Sequence, residues 1–270
     1  MENPVINSLY YRIANNTMRK IYLIILLLPF FGYTYNTPQS PDLLIYKGDT
    51  IALYRLLLEN YISESINSEK IRENIKDAVA PNTACWHGYR TLYEIRNDSL
   101  FLIKAYGKND IDLSEIFDKK THIFMDWVTG IVTSMRNNII YDHGHPWGGF
   151  FEYETDFKFE KGMLKSVQEY HNYLQPSEYT DNSTVIKFIA DNINYNNVKT
   201  PDKKARVIIS IDDVDADGKI TRVSVVRGVE GYNEEAMRVI RSIPRWQVII
   251  RRGMKEHIRW YMPVNFDKKE

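Results

Sequence analysis

Ala205-Arg206-Val207-Ile208-Ile209-Ser210-Ile211, the turn Asp215-Ala216-Asp217-Gly218 and the run Ile220–Arg227 together decide the fold of the C-terminal third. Val207, Ile209 and Ile211 alternate with Arg206, Ser210 and Asp212, the period of a strand with one buried face, and Ile208 alone breaks the polar side. Aspartate and glycine tolerate the left-handed backbone a tight turn needs, so the two runs predict a hairpin. Upstream, Val185, Phe188, Ile189 and Ile193 share one face of a helix over Thr184–Ile193, with Ser183 or Thr184 as its N-cap. Downstream, Gly228–Gly231 leads into Tyr232-Asn233-Glu234-Glu235, whose carboxylates suit a helix N-terminus. Ala236, Val239, Ile240 and Ile243 form that helix's apolar stripe, and Pro244 ends it. In the last strand Ile258, Trp260, Met262, Val264 and Phe266 face one way, while His257, Arg259, Tyr261 and Asn265 face the other. Pro263 lacks a backbone donor, which assigns this strand to a sheet edge. An open edge presents unpaired backbone groups onto which an extended peptide can add.

These residues resemble the C-terminal domain of the TonB family. The likeness rests on the hairpin Ala205–Gly228, on Glu235-Ala236-Met237-Arg238-Val239-Ile240-Arg241-Ser242-Ile243-Pro244-Arg245-Trp246, and on Tyr261-Met262-Pro263-Val264-Asn265-Phe266. The resemblance implies an αββαβ module that receives a receptor's short box peptide on its closing strand. It implies coupling of inner-membrane energy to outer-membrane receptors. Carried over, the partner-binding residues are Tyr195, Ile258, Arg259, Trp260, Tyr261 and Met262. The chain departs from the pattern at Asn196, where the family often has proline after the tyrosine. It departs again after Trp246, where Gln247-Val248-Ile249-Ile250 follows in place of an early proline. An extended proline-rich spacer is also replaced by a globular segment.

That segment, residues 38–178, reads as a β-rich domain, with Gln175-Pro176-Ser177-Glu178 as the boundary to a C-terminal domain over 180–268. Leu43-Leu44-Ile45-Tyr46 precedes the turn Lys47-Gly48-Asp49, and Leu100–Ile103, Phe150–Thr155 and Phe157–Leu164 read as further strands. Ile62, Ile66, Ile71 and Ile75 among charges predict a surface helix over Tyr61–Ala78. Asn82–Tyr89 and Asp126–Gly130 are similar to a region preceding TonB-type ends in envelope proteins, a likeness that implies no activity. The fold class expected is therefore α+β, a β-rich domain followed by a small αββαβ module.

Met18-Arg19-Lys20 followed by the apolar run Ile21–Phe31 has the form of a secretory signal, placing a signal peptide or short membrane segment at 18–35. The run is short for a span, which needs about 20 apolar residues. Translation is expected to start at Met18, or the preceding extension to be processed. The expected location is the periplasm, with anchorage in the inner membrane by the same segment as the alternative.

Lysine plus arginine equals aspartate plus glutamate, 35 each, so no bulk field argues for nucleic acid. The single cysteine, Cys85, excludes an intrachain disulfide and is expected to be buried. Asp213-Val214-Asp215-Ala216-Asp217-Gly218 imitates the start of a calcium loop, but Ser224 stands where a bidentate glutamate is required, so it reads as a hairpin turn. His143-Gly144-His145-Pro146-Trp147 reads as a glycine-rich loop rather than a metal site. Trp86, Trp127, Trp246 and Trp260 are expected in the core or at an interface. No cofactor motif, nucleophile elbow or phosphate loop occurs. The reading is a non-enzymatic exported protein that binds an outer-membrane receptor or another envelope protein by strand addition, with no nucleic acid, metal or cofactor. A periplasmic enzyme or small-ligand binder, its site in the aromatic middle domain, is the alternative.

Overall fold

The computed structural model describes residues 37–142, 149–200 and 203–267. The N-terminal part begins with β1 (Asp42–Tyr46), β2 (Asp49–Leu53), α1 (Leu57–Glu64) and α2 (Ser68–Ile75). It continues with β3 (Arg90–Arg96), β4 (Ser99–Tyr106), the short β5 (Asp110–Ile111) and β6 (Ile123–Phe124), then the long β7 (Gly130–Tyr141), β8 (Phe150–Glu160) and β9 (Met163–His171). The C-terminal part holds β10 (Tyr173–Gln175), α3 (Asn182–Asn192), β11 (Ala205–Val214), β12 (Ile220–Arg227), α4 (Asn233–Arg241), β13 (Val248–Arg251), β14 (Met254–Lys255) and β15 (Trp260–Phe266). Strands and helices together make this an α+β protein.

The N-terminal strands run in the order β3-β1-β2-β7-β8-β9-β4, and β3 pairs again with β4, which closes a seven-stranded barrel. Closure at β4–β9 is slight, one residue pair (Ser99 with Met163) helped by the Leu164 amide donating to Asp98 at 2.7 Å. Tyr93, Phe157, Phe159, Leu100, Leu102 and Met125 fill the interior. A barrel of this size is filled by its own side chains. The expected single surface helix is two helices, broken at Ser65. Ile62, Ile71 and Ile75 lie in the barrel core, and Ile66 in the break is fully exposed. The helical period was correct, but the stripe is a plug at the barrel's end rather than the side of a surface helix.

Four hairpins share one design. β1–β2, β3–β4, β8–β9 and β13–β14 turn through Lys47-Gly48, Asn97-Asp98, Lys161-Gly162 and Arg252-Gly253, each with positive φ at both positions. Two-residue turns of that hand match the twist of antiparallel strands.

In the C-terminal module β15 and β12 flank β11, giving a three-stranded antiparallel sheet with α3 and α4 packed on its apolar face. Val207, Ile209, Ile211, Val239, Ile240, Val264 and Phe266 are buried between them. Asp181, two or three residues before the expected caps, accepts from the Thr184 amide at 2.9 Å and is the true N-cap of α3. Asp215 accepts from the Asp217 and Lys219 amides at 3.0 and 2.8 Å, so its carboxylate organises the β11–β12 turn. At Gly218 a side chain would lie 2.4 Å from the Trp246 carbonyl, and the Trp246 amide donates to the Gly218 carbonyl at 2.7 Å. Trp246 is buried and Trp260 half-buried, edge to face at 6.0 Å.

One expectation about this module is corrected. It is not a bare αββαβ unit, because the β13–β14 hairpin stands between α4 and the closing strand. At the expected boundary Gln175–Glu178, β10 pairs with β13, so the segment that leaves the barrel becomes part of a sheet with the module. Ser177 adds a 2.6 Å hydrogen bond to the Arg245 carbonyl.

Candidate docking edge

The register of β15 fixes what its outer side offers. Ile208 lies opposite Pro263, which has no amide hydrogen to exchange, so that pair is a non-hydrogen-bonded one. By alternation, the backbone groups of Tyr261, Pro263 and Asn265 turn away from β11, whereas those of Trp260, Met262, Val264 and Phe266 turn toward it. Among the described residues no strand pairs with that outer side. The open edge therefore carries three carbonyls but only two amides, those of Tyr261 and Asn265.

Tyr195 closes one end of this edge. Its hydroxyl accepts from the Asp267 amide at 3.2 Å and its ring meets Phe266 edge-on at 6.4 Å. Asp267 continues the alternation of Pro263 and Asn265, so the tyrosine occupies the next outward-pointing donor. Buried Glu235 holds the turn that carries Tyr195, accepting from the Asn194 amide (2.6 Å), Asn197 Nδ2 (2.7 Å) and Arg238 Nε (2.8 Å). Burial alone would raise its carboxyl pKa, but Arg238 and the asparagines outweigh this and hold it below the usual carboxylate range.

The predicted partner-binding residues thus divide. Arg259 and Tyr261 are exposed, Tyr261 by 59%, beside the edge. Met262 is buried and Trp260 half-buried on the helix side, so neither side chain reaches the open face. Ile258 precedes the strand rather than belonging to it. The Glu256 amide donates to the Ile249 carbonyl at 2.8 Å, which holds the chain on the small sheet until it crosses to the larger one. Tyr195 contacts the strand end itself.

The open face of the sheet is mixed. Ile208, the residue that broke the polar alternation, is half-buried beside Pro263, and Val226 is 56% exposed. Arg259 faces Asp212 at 3.9 Å, and Lys255 donates to Asp213 at 2.7 Å. Beyond them Lys204, Arg206 and Arg227 line a groove of about 590 Å³ at the far end of β11 and β12.

A second feature was not anticipated from the sequence. The tip of the β13–β14 hairpin clasps the barrel wall. Arg251 Nε donates to Glu154 at 2.6 Å, Arg252 Nε donates to the same carboxylate at 2.7 Å, and Arg252 forks onto Asp156 at 2.9 and 3.0 Å. Asn172 accepts from the Arg252 amide at 2.8 Å and donates to the Phe151 carbonyl and to Glu154. The guanidinium groups lie over Phe150 and Tyr170 at 4.5 and 4.9 Å. Glu154 is 1% exposed; burial would raise its pKa, but Arg251 and Arg252 prevail and lower it. Arg-Gly after Ile249-Ile250 repeats the lysine-glycine turn pattern of the barrel, and that signal would have found the hairpin.

Among the described residues the barrel carries several small clefts. One of about 170 Å³ lies beside Tyr61, Trp127 and Arg55, and one of about 310 Å³ beside Cys85 and Tyr89. Trp127 is half-buried, stacked on Phe117 at 5.5 Å, whereas Trp86 is 56% exposed and takes no place in the core. Cys85 is buried, its thiol donating to the Tyr89 carbonyl at 3.1 Å. The histidines 143 and 145, with Trp147, lie outside the described residues, as do the apolar run Ile21–Phe31 and the proposed signal at 18–35. Among the described residues no group of three or more potential ligands gathers for a metal, and no helix is long and apolar enough to cross a membrane. No family model, curated protein or solved structure matches the chain.

Proposed function

We propose that this is an exported envelope protein whose TonB-like C-terminal module binds an extended segment of an outer-membrane receptor, or of another envelope protein, by strand addition along β15. The supporting observation is the register Ile208–Pro263, which turns the backbone of Tyr261, Pro263 and Asn265 toward an unoccupied side. Backbone pairing supplies affinity in such complexes, and the side chains alternating across the strand supply specificity. The module packs on its own barrel through the clasp at Arg251 and Arg252, which leaves the β15 edge uncovered among the described residues. A purely structural role for the module would favour a covered edge. Support for energy-coupled transport belongs to the same reading and requires the segment at 18–35 to stay in the inner membrane.

Photo-crosslinking tests the docking in cells. A benzophenone side chain at Tyr261 or Asn265 is expected to capture an envelope protein, and one at Met254, exposed on the clasp hairpin, is not. Equal capture from all three positions, or none from the first two, would remove strand addition. N-terminal sequencing of the mature protein decides export: a start near Asn36 identifies a cleaved signal and excludes direct transduction from the inner membrane.

A further inference from the structure

We infer that the cleft between α1 and the start of β7 binds one neutral saccharide ring; the site lies on the barrel and does not depend on the docking edge. The cleft holds about 170 Å³, and Arg55, Asn60, Glu64 and Thr129 form its polar lining. Sites for drug-sized ligands begin at about 300 Å³, so this one takes a single small ring.

Local structure gathers these groups. Arg55 sits in the turn between β2 and α1. Asn60 and Glu64 stand four apart on α1, as do Leu57 and Tyr61, so all four share one strip of the helix. Thr129 and Ile131 close the opposite side, where the chain enters β7.

The polar groups have bonding capacity that the fold does not use. Among the described residues the side chains of Arg55, Asn60 and Glu64 make no hydrogen bond or ion pair, and all three are exposed. Arg55 and Glu64 thus carry opposite charges into one cleft without pairing with each other. Thr129 accepts from the Lys161 amide at 3.0 Å and keeps its hydroxyl hydrogen to donate. The indole Nε1 of Trp127, which also lines the cleft, is buried with no acceptor among the described residues. Buried donors ordinarily have one.

This donor set fits hydroxyls better than ions. One positive and one negative group cancel, so the lining has no net sign with which to select a charged ligand. Guanidinium, carboxamide and carboxylate are planar groups with paired bonding atoms, which match neighbouring hydroxyls on a sugar ring. The apolar side is present as well. Tyr61 and Phe117 lie 4.5 and 5.5 Å from the Trp127 ring but only 5.0 Å from each other, too close to sandwich the indole. With Ile131, 52% exposed, these rings offer surface for a sugar's C–H face. Glu64 is the one carboxylate among the described lining residues. Glycoside hydrolysis uses a pair, so the activity inferred is binding rather than cleavage.

Nitrogen-edited NMR of the intact chain tests this, with the Trp127 indole N–H signal assigned by its loss in Trp127→Phe. The probes are glucose, galactose, mannose, N-acetylglucosamine and their β-linked dimers, with glycine and acetate beside them. At least one sugar is expected to shift that signal, and neither glycine nor acetate is. Asn60→Ala and Glu64→Ala remove no bond within the fold and place alanine on a helix, so both variants keep the structure. Each is expected to weaken the sugar about tenfold, the loss of one or two hydrogen bonds. Sugar binding that ignores both substitutions would place the site elsewhere and overturn the inference. A shift produced by glycine alone and abolished by Arg55→Gln would replace the saccharide with an amino-acid zwitterion. Silence from every probe would remove the site, and strand addition at β15 would stand or fall on its own test.

Discussion

Arg251 and Arg252 lie in the clasp; Arg206 and Arg227 line the groove. Both pairs sit on the same C-terminal module, and both look alike in the sequence: arginines in or beside β-rich runs. Their surroundings divide them. The clasp arginines are partly buried, stacked on Phe150 and Tyr170, and every hydrogen bond they make to Glu154 and Asp156 lies between 2.6 and 3.1 Å. The groove arginines are exposed and lack acidic partners among the described residues. The first pair joins two parts of one chain. The second makes no ion pair among the described residues. Arginine forks suit carboxylates in both settings, and among the described residues only the clasp pair has them.

The comparison breaks most visibly at Glu154. Glu154→Ala leaves two guanidiniums facing a barrel wall without their shared carboxylate, and removal of one partner of a buried pair costs about 3–5 kcal/mol. Chemical denaturation is expected to show this loss, and a cost below about 1 kcal/mol would mean that the clasp is ornamental. Acid acts on the same group. Because the folded carboxyl lies below its ordinary value, the clasp's contribution is present at neutral pH and is lost as pH falls through the depressed value, below the usual carboxylate range. Glu154→Gln should flatten that acid limb of the stability profile.

Asp42 sharpens the contrast from the opposite side. It is a buried carboxylate with hydrogen bonds from the Thr91 amide at 2.8 Å and the Tyr93 hydroxyl at 3.3 Å, but it has no fork of arginines. Burial therefore dominates and raises its pKa to about 6. The sign is reversed relative to Glu154. The folded state holds its proton more tightly, so the penalty is absent well below the unfolded value and fully developed above about pH 6. Asp42→Asn is expected to stabilise the protein by about 2–3 kcal/mol at pH 8 and to do little at pH 4, as read by thermal unfolding at both values. Equal effects at the two would show that desolvation of the charge is not the cause.

The sequence made one of these surfaces legible and hid the other. The hairpin, both helix stripes and the alternation of β15 were readable because period and turn chemistry are local, and Pro263 gave the edge directly. The odd placement of Ile208 on the polar side marks the open face's apolar row. The clasp was hidden because Glu154 and Arg251 are 97 positions apart, and only the fold of β8 against the hairpin brings them together. The break at Ser65 was hidden for a related reason. A helical period continues through Ile66, and only tertiary packing decides that Ile62 and Ile71 plug a barrel while Ile66 faces water. For the strand residues expected to bind a partner, alternation gave the faces, and it already contained the warning that Met262 and Trp260 point toward the helices.

Tyr195 carries a smaller effect. Tyr195→Phe removes the acceptor for the Asp267 amide and should cost about 1 kcal/mol, with faster exchange of that amide. It would also lengthen the open edge by one donor, so strand addition should tighten or shift in register rather than weaken.

The smallest effect is the one expected of the groove. Arg206→Gln/Arg227→Gln should change stability by less than about 0.5 kcal/mol, since neither residue has an ion pair among the described residues to lose. If like charges repel there, the change is a slight stabilisation at low salt that vanishes as the Debye length shortens to about 10 Å at 0.1 M. A loss as large as that of Glu154→Ala would mean that the groove arginines hold the fold together after all, and the division between a pair that joins two parts of the chain and a pair without carboxylate partners among the described residues would be gone.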